Sequence, residues 1–109
     1  MSKSSTTTRK LRRQPLTHNP HPGEILLEEF MKPLGMSQNA LARALKISPR
    51  RINELVHGKR GVSADTDLRL GRYFNLHAGF FLGLQTQFDL MEQRRKLGDK
   101  LEEIKPRAA

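Results

Sequence analysis

Side chains that can recognise DNA bases are concentrated near the middle of the chain, at Arg50, Arg51, Asn53 and Glu54. Arginine can donate two hydrogen bonds to guanine O6 and N7, asparagine can pair in the same way with adenine, and glutamate can accept from cytosine N4. Free on the outer side of one short helix, near its N-terminus, these side chains would reach base edges in a major groove. We therefore predict that these four residues contact bases.

Residues suited to binding phosphates lie on both sides of this group. Contacts of this kind fix the position of a protein on the duplex without carrying sequence information. The predicted phosphate-binding residues are Gln38, Lys46, His57, Lys59 and Arg60.

Two short helices and a tight turn must position these side chains. The first helix is expected to start at Ser37 as N-cap and to run to Leu45, before a three-residue turn. The second opens with Ser48 as N-cap and Pro49 in the first helical position, which needs no N–H donor, and it ends at Gly58. This arrangement predicts a helix-turn-helix. An ordinary helical hairpin with a solvated polar face has the same spacing, but the Ser-Pro start and the flanking cations favour DNA binding.

The chain is expected to form one helical domain. Its 109 residues leave no room for two cores, and 16 Leu against six Val plus Ile, with no alternating run, argue against a sheet. Three further helices complete an all-α, five-helix domain over residues 21–92, and a helical extension or tail interrupted by Gly98 follows at 93–109. The inward face of the fourth helix is assigned to Leu68, Leu70, Tyr73 and Phe74.

The excess of positive charge lies in the first half of the chain. The formal net charge is +9, from 20 Lys and Arg against 11 Asp and Glu. Residues 1–20 contain five cations and no acid, and their composition predicts a flexible basic arm. A chain this basic is expected to bind polyanions, although such arms are often only solvated tails.

Composition and spacing argue against several other classes of protein. The absence of cysteine excludes disulfides and thiolate metal sites, and the four histidines lack the spacing of a metal-binding helical pair. Glu28 and Glu29 are adjacent, so they diverge by about 100° on a helix and cannot act as a facing acid and base. We expect no catalytic residue, metal or cofactor, and neither a membrane span nor a secretion signal, which predicts a cytoplasmic protein. RNA binding is disfavoured because the chain has one Tyr and no Trp to stack on bases.

Several segments together resemble a known family. Residues 36–48 (MSQNALARALKIS) are similar to the Xre or lambda-repressor type of helix-turn-helix. The segments HPGEIL at 21–26, GKRGVSADT at 58–66, LRL at 68–70 and FFLGLQ at 80–85 resemble the HigA (VapI-type) addiction-module antitoxins. The resemblance covers about residues 21–92.

The resemblance implies an antitoxin that dimerises, represses its own operon at a palindromic operator and binds a RelE-like (HigB-type) mRNA-cleaving toxin. The sequence departs from the family at two places. Lys46 stands at a turn position that usually holds Gly or Asn, so it must adopt a left-handed or similar conformation. Phe81 and Gly83 replace the Trp and Asn of the family motif Phe-Trp-Leu-Asn-Leu-Gln, which bears on the packing of the fifth helix.

A dimer is also expected because one helix-turn-helix contacts only one half-site of a symmetric operator. The apolar face of the fifth helix is larger than a small bundle needs, so Leu84, Phe88 and Met91 are predicted to face a second subunit, although Phe81 and Leu84 could instead fill the core of the monomer. Two alternatives for function stay open: a solitary repressor without a toxin, and a toxin-neutralising module with a vestigial helix-turn-helix.

Overall fold

The computed structural model describes residues 18–108, and its regular secondary structure over that range is helical, with no strand. Helix α1 (Pro22–Ile25) continues directly into a π-helical segment (Leu26–Met31). The helices that follow are α2 (Gln38–Leu45), α3 (Pro49–Val56), α4 (Ala64–Phe74), α5 (Phe80–Leu97) and the short α6 (Asp99–Glu102). The prediction of an all-α fold containing a helix-turn-helix is confirmed, with α2 and α3 as its two helices.

Serine side chains begin the helices where the sequence predicts them. The hydroxyl of Ser37 accepts a hydrogen bond from the backbone N–H of Ala40 at 3.0 Å, and that of Ser48 accepts from Arg51 N–H at 3.2 Å. Ser63 caps α4 in the same way. Each cap satisfies a backbone donor that has no partner inside the helix, so the first turns of α2 and α3 are fixed by local chemistry.

The turn between α2 and α3 depends on Lys46, which has φ 60° and ψ 46°. This left-handed conformation is the one expected at that position, and it costs a residue with a Cβ about 1–2 kcal/mol. Hydrogen bonds around the turn offset the cost: Ile47 N–H donates to Ala42 O at 3.0 Å, and the Arg69 guanidinium donates to Leu45 O at 2.7 Å. The carbonyls of Ala42 and Leu45, near the end of α2, are therefore satisfied.

The core lies where the π-helical segment, α2, α3, α4 and α5 meet. Its fully buried side chains include Leu26, Met31, Leu41, Ile52, Leu55, Leu70 and Phe81. Burying one side chain of this size contributes about 1.5–3 kcal/mol. Phe81 is completely buried and its ring lies 5.4 Å from that of Phe30, so phenylalanine fills the position where the family motif has tryptophan.

Close backbone contact fixes α3 against α1. A Cβ added to Gly23 would lie 1.8 Å from the carbonyl oxygen of Leu55, so only glycine fits there. Ile52, three residues before Leu55 on the same face of α3, is buried in the core, and Ile47 packs against that core from the turn. These contacts hold α3 by its inner face and leave its outer face to solvent.

The inward face of α4 differs from the prediction. Leu68 and Tyr73 are 58% and 43% exposed, whereas Leu70 is fully buried. The buried residues are instead Thr66, Asp67, Leu70 and Gly71, two adjacent pairs that lie four residues apart on one face of the helix. The assignment of Leu68 and Tyr73 to the core is wrong.

Asp67 explains why a charged residue belongs to that face. Its buried carboxylate accepts hydrogen bonds from the backbone N–H groups of Gly79, Phe81 and Leu82 at 2.7, 2.9 and 3.0 Å. Asp67 therefore caps the N-terminus of α5 from the neighbouring helix, and a charge bonded in this way is far less costly to bury.

Both ends of the predicted domain continue into the neighbouring segments. Residues 1–17, most of the predicted arm, lie outside the described residues. The side chain of Asn19, at the end of that arm, donates to Phe88 O and to the Glu92 carboxylate, each at 3.0 Å. Helix α5 runs without a break past residue 92 to Leu97, and Gly98 (φ 50°) separates it from α6. Within residues 18–108, none of the helices combines the length and apolar character needed to span a bilayer.

Candidate nucleic-acid interface

The outer face of α3 presents two of the four predicted base-contacting residues to solvent. The side chain of Arg50 is 85% exposed, and Asn53 is also exposed, whereas Ile52 and Leu55 on the inner face are buried. Both side chains therefore lie on the outer face, and their contact with bases stays a prediction.

Arg51 is not free on that face. One of its terminal nitrogens, Nη2, forms an ion pair with the Asp65 carboxylate and donates to Thr66 Oγ1 at 2.8 Å, and its side chain is only 23% exposed. Its Nε is buried without a hydrogen-bond partner among the described residues. The prediction that Arg51 stands free is wrong, because the first turn of α4 lies beside the first turn of α3 and offers it a carboxylate.

Asp65 joins Arg51 to a second arginine. Its Oδ2 also accepts from Arg69 Nε at 2.9 Å, and Arg69 in turn donates to the carbonyl of Leu45 at the end of α2. The Arg51 guanidinium, followed by that of Arg69, lowers the pKa of the Asp65 carboxyl because both favour its charged form. The Asp65 network, which comprises Arg51, Asp65, Arg69 and the Leu45 carbonyl, thus links α3, α4 and the end of α2.

Glu54 is likewise occupied within the chain. Its Oε2 accepts from Arg50 Nε at 2.9 Å, and its Oε1 accepts from Arg60 Nη2 at 2.8 Å and from Arg60 Nε at 3.1 Å. Hydrogen bonds from Arg60, then from Arg50, lower the pKa of the Glu54 carboxyl. The prediction of a free glutamate is wrong, because an i,i+4 neighbour and the loop after α3 both supply cations.

Asn53, another predicted base-contacting residue, is joined to a predicted phosphate-binding residue. Asn53 Nδ2 donates to the side-chain oxygen of Gln38 at 3.1 Å. Gln38 is the first residue of α2, so this amide pair ties the N-terminus of α2 to the outer face of α3. The two helices therefore offer polar groups to the same surface.

The other predicted phosphate-binding residues fall into two places. His57, Lys59 and Arg60 are exposed together at the C-terminal end of α3, and His57 Nδ1 lies 2.8 Å from the carbonyl of Asn53. Lys46 lies instead in a groove between the end of α2 and α4, together with Arg72. We use the term recognition surface for Gln38, Arg50, Asn53, His57, Lys59 and Arg60.

A residue that the sequence reasoning did not single out positions the loop after α3. The side-chain oxygen of Gln85, on α5, accepts from Val62 N–H at 2.8 Å. A Cβ at Gly61 would lie 2.9 Å from that oxygen, so glycine lets the loop approach Gln85. The only sequence signal for this role is the presence of both residues in segments that resemble the family.

The predicted dimer residues are partly occupied by contacts within the chain. Leu84 packs against the core, and the ring of Phe88 makes an edge contact with His21 at 4.9 Å. Met91 is half-buried. The most exposed large apolar side chains on α5 and beyond it are Leu90, Leu97, Leu101 and Ile104.

Comparison with known proteins agrees with this geometry. The family HTH_3, described as helix-turn-helix, matches residues 27–81, just over half of the chain. Virulence-associated protein I of Dichelobacter nodosus is 59% identical over 70 residues. That match covers 64% of this chain and 65% of the relative, so the chain spans slightly less than two thirds of that protein's length.

Two solved structures share the fold over nearly their whole length. PA4674 of Pseudomonas aeruginosa, in complex with its operator DNA, has a TM-score of 0.81 and 44% identity, covering 84% of this chain and 98% of that chain. The Pseudomonas aeruginosa antitoxin HigA with the higBA promoter has a TM-score of 0.78 and 42% identity, covering 84% and 100%. The predicted resemblance to HigA antitoxins is confirmed, and this family consists of DNA-binding proteins and not of enzymes. The chain therefore belongs to the HTH_3 helix-turn-helix family, in the Xre-like group that includes the HigA antitoxins.

Proposed function

We propose that this chain is the antitoxin of a type II toxin–antitoxin module: it binds operator DNA as a homodimer in the cytoplasm, represses its own operon and neutralises a RelE-like (HigB-type) toxin. The observation that carries the proposal is the exposed outer face of α3, where Arg50 extends into solvent beside Asn53. Two similar chains are known in complexes with operator or promoter DNA.

Base recognition is assigned to Arg50 and Asn53. Arg50 uses Nε to bind Glu54, which leaves the N–H donors of its two terminal nitrogens for guanine O6 and N7. Asn53 donates to Gln38 through one amide hydrogen, which leaves its other hydrogen and its oxygen for an adenine. Arg51 and Glu54 support this surface through their contacts within the chain.

Phosphate binding is assigned to the two sides of α3. Gln38 lies at the N-terminus of α2, and His57, Lys59 and Arg60 follow α3. Phosphate contacts on both sides would fix α3 in the major groove. Lys46 is assigned a phosphate contact at the edge of this footprint, because its side chain is exposed at the end of α2.

The dimer and the toxin complete the proposal. A homodimer would place two copies of α3 about 34 Å apart, one for each half-site of a symmetric operator. We assign the dimer contact to α5, where Phe88 and Met91 are half-buried, Leu90 is exposed and Leu84 packs against the core. The toxin is assigned because a similar chain is an antitoxin.

A mobility-shift assay on the DNA upstream of the chain's own reading frame tests the proposal. The wild-type chain should shift this DNA at about 50 mM salt, and Arg50→Ala should shift it less. Arg107→Ala is the matched control, since Arg107 is an exposed arginine that follows α6 and does not line the groove that holds Lys46. Failure of the wild-type chain to shift the DNA would favour a module that only neutralises a toxin.

The toxin is tested separately. Co-expression with the product of a neighbouring small basic reading frame should yield a complex that copurifies and loses mRNA cleavage. Operator binding by a chain that neither binds nor inhibits such a product would identify a solitary repressor.

A further inference from the structure

The carboxylate of Glu54 binds both arginines of the recognition surface. One oxygen accepts from Arg50 on the first turn of α3, and the other accepts from Arg60 in the loop after α3. The Glu54 side chain is only 22% exposed, compared with 85% for Arg50 and 45% for Arg60. An acidic group is therefore built into the centre of a surface that we expect to bind a polyanion.

The geometry of each contact determines what DNA can do with these arginines. Arg50 is held through Nε, so a guanine can engage its terminal nitrogens while the bond to Glu54 stays intact. Arg60 is held through Nε and Nη2 on one oxygen, so a phosphate must compete with Glu54 for the same side of the guanidinium. Contact with a base is thus compatible with the Glu54 contacts, whereas close binding of phosphate opposes them.

The negative charge of Glu54 also opposes the binding of phosphate. Arg50, Glu54 and Arg60 together carry one net positive charge where the two arginines alone would carry two. Sequence-independent binding to DNA comes almost entirely from neutralising phosphates. Its affinity therefore falls when an arginine is already paired with Glu54. Operator binding has an additional contribution from base contacts, which the pairing does not remove.

We infer that Glu54 is a specificity-determining positioning residue: it orients Arg50 towards a base and weakens the attraction of Arg50 and Arg60 to phosphates of arbitrary sequence. This inference rests on the proposed DNA binding. It assigns to Glu54 a role in discriminating between DNA sequences without any contact between Glu54 and DNA.

The test compares Glu54→Gln with Glu28→Gln. Glutamine keeps the size of glutamate and removes the charge. Glu28 is a suitable control because it also pairs with an i,i+4 cation, Lys32, at 2.8 Å. Glu28 lies in the π-helical segment, outside the helix-turn-helix. Both variants raise the net charge by one, so a difference between them reports the position of the charge. Dissociation constants are measured by fluorescence anisotropy for the operator duplex and for a scrambled duplex between 50 and 300 mM salt.

Glu54→Gln should bind the scrambled duplex about tenfold more tightly, with a salt dependence steeper by about one unit, and operator binding should change by less than about threefold. The ratio of the two affinities therefore falls severalfold. Glu28→Gln should keep the wild-type ratio within about twofold.

A second variant separates positioning from charge. Glu54→Asp keeps the charge but is one methylene shorter, so its carboxylate cannot hold both arginines in the same way. It should keep the wild-type affinity for scrambled DNA and lose operator affinity several-fold. Thermal unfolding of each variant confirms that the domain is folded.

Equal affinity ratios for Glu54→Gln and Glu28→Gln would overturn the inference while leaving the proposed function intact. If the wild-type chain itself fails to distinguish operator from scrambled DNA, the proposed function fails, and the inference fails with it.

Discussion

The two sides of α3 use the same chemistry for different purposes. On one side, Asp65 binds Arg51 and Arg69, and the network ends at a backbone carbonyl of α2. On the outer side, Glu54 binds Arg50 and Arg60, and the contacts stay within α3 and the loop that follows. Each carboxylate binds two guanidinium groups.

What differs is the exposure of the first arginine in each group. Arg51 is 23% exposed and Arg50 is 85% exposed, although the two residues are adjacent. Adjacent residues on a helix point about 100° apart, so one faces α4 and the other faces solvent. The comparison teaches that Arg51 joins α3 to α4, whereas Arg50 is the arginine that the proposed function assigns to DNA.

Replacing the exposed arginine should give the largest effect on DNA binding. Arg50→Ala should weaken operator binding by about 1–3 kcal/mol and relax the preference at one base pair, because a bidentate guanine contact is lost. Its melting temperature should stay close to that of the wild-type chain. Binding to a set of operators, each with one altered base pair, checks this. An unchanged preference at every position would place base recognition elsewhere.

Replacing the partly buried arginine should give the opposite pattern. Arg51→Ala removes the hydrogen bond to Thr66 and one partner of Asp65, so the free energy of unfolding should fall by about 1–2 kcal/mol. At a temperature where the variant is folded, its base preferences should match those of the wild-type chain. Urea unfolding measures the stability, and Arg50→Ala is the control on the same helix turn. A specific loss of preference at one base pair, with no loss of stability, would reverse our assignment of the two arginines.

A phosphate contact should give a smaller and sequence-independent effect. Lys59→Ala should weaken binding to operator and scrambled duplexes by the same factor and flatten the salt dependence by about one unit, because one fewer counterion is released. Affinity measured against salt concentration for both duplexes checks this. A change in the ratio of the two affinities would show that Lys59 contributes to specificity.

The smallest effect concerns pH. The pKa of Asp65 is lowered in the folded chain, so its contribution to stability is present above the ordinary carboxyl range, about pH 4, and is lost as the pH falls through the lowered value. The wild-type chain should therefore be more stable than Asp65→Asn at pH 6, and the difference should shrink as the pH approaches 3. Urea unfolding at several pH values measures it. A difference that grows on acidification would contradict the network.

Local features of this fold are predictable from the sequence. Ser37, Ser48 and Pro49 mark the starts of α2 and α3 because a cap depends on residues within one turn. The left-handed Lys46 follows from the family pattern around it. The outward position of Arg50 follows from the spacing of Ile52 and Leu55.

Contacts between elements are not predictable in this way. Arg51 and Asp65 are 14 residues apart, and nothing in the order of the residues indicates that the first turns of α3 and α4 lie side by side. Asp67 is an acidic residue in the first turn of α4, a position that indicates an interaction with the dipole of α4 itself. In the structure it caps α5 instead. The exposure of Leu68 and Tyr73 is also not predictable from the sequence. The buried face of α4 includes the charged Asp67, so the apolar residues alone do not identify which face of the helix points inward.

Methylation interference at guanine N7 tests the central claim most directly, because that atom lies in the major groove and accepts a hydrogen bond from a bidentate arginine. For the wild-type chain, methylation of one guanine in each half of the operator should block binding, and for Arg50→Ala methylation at the same position should have no further effect. Interference that is identical for both proteins, or the absence of any sensitive guanine, would contradict the assignment of α3 and Arg50 to base recognition.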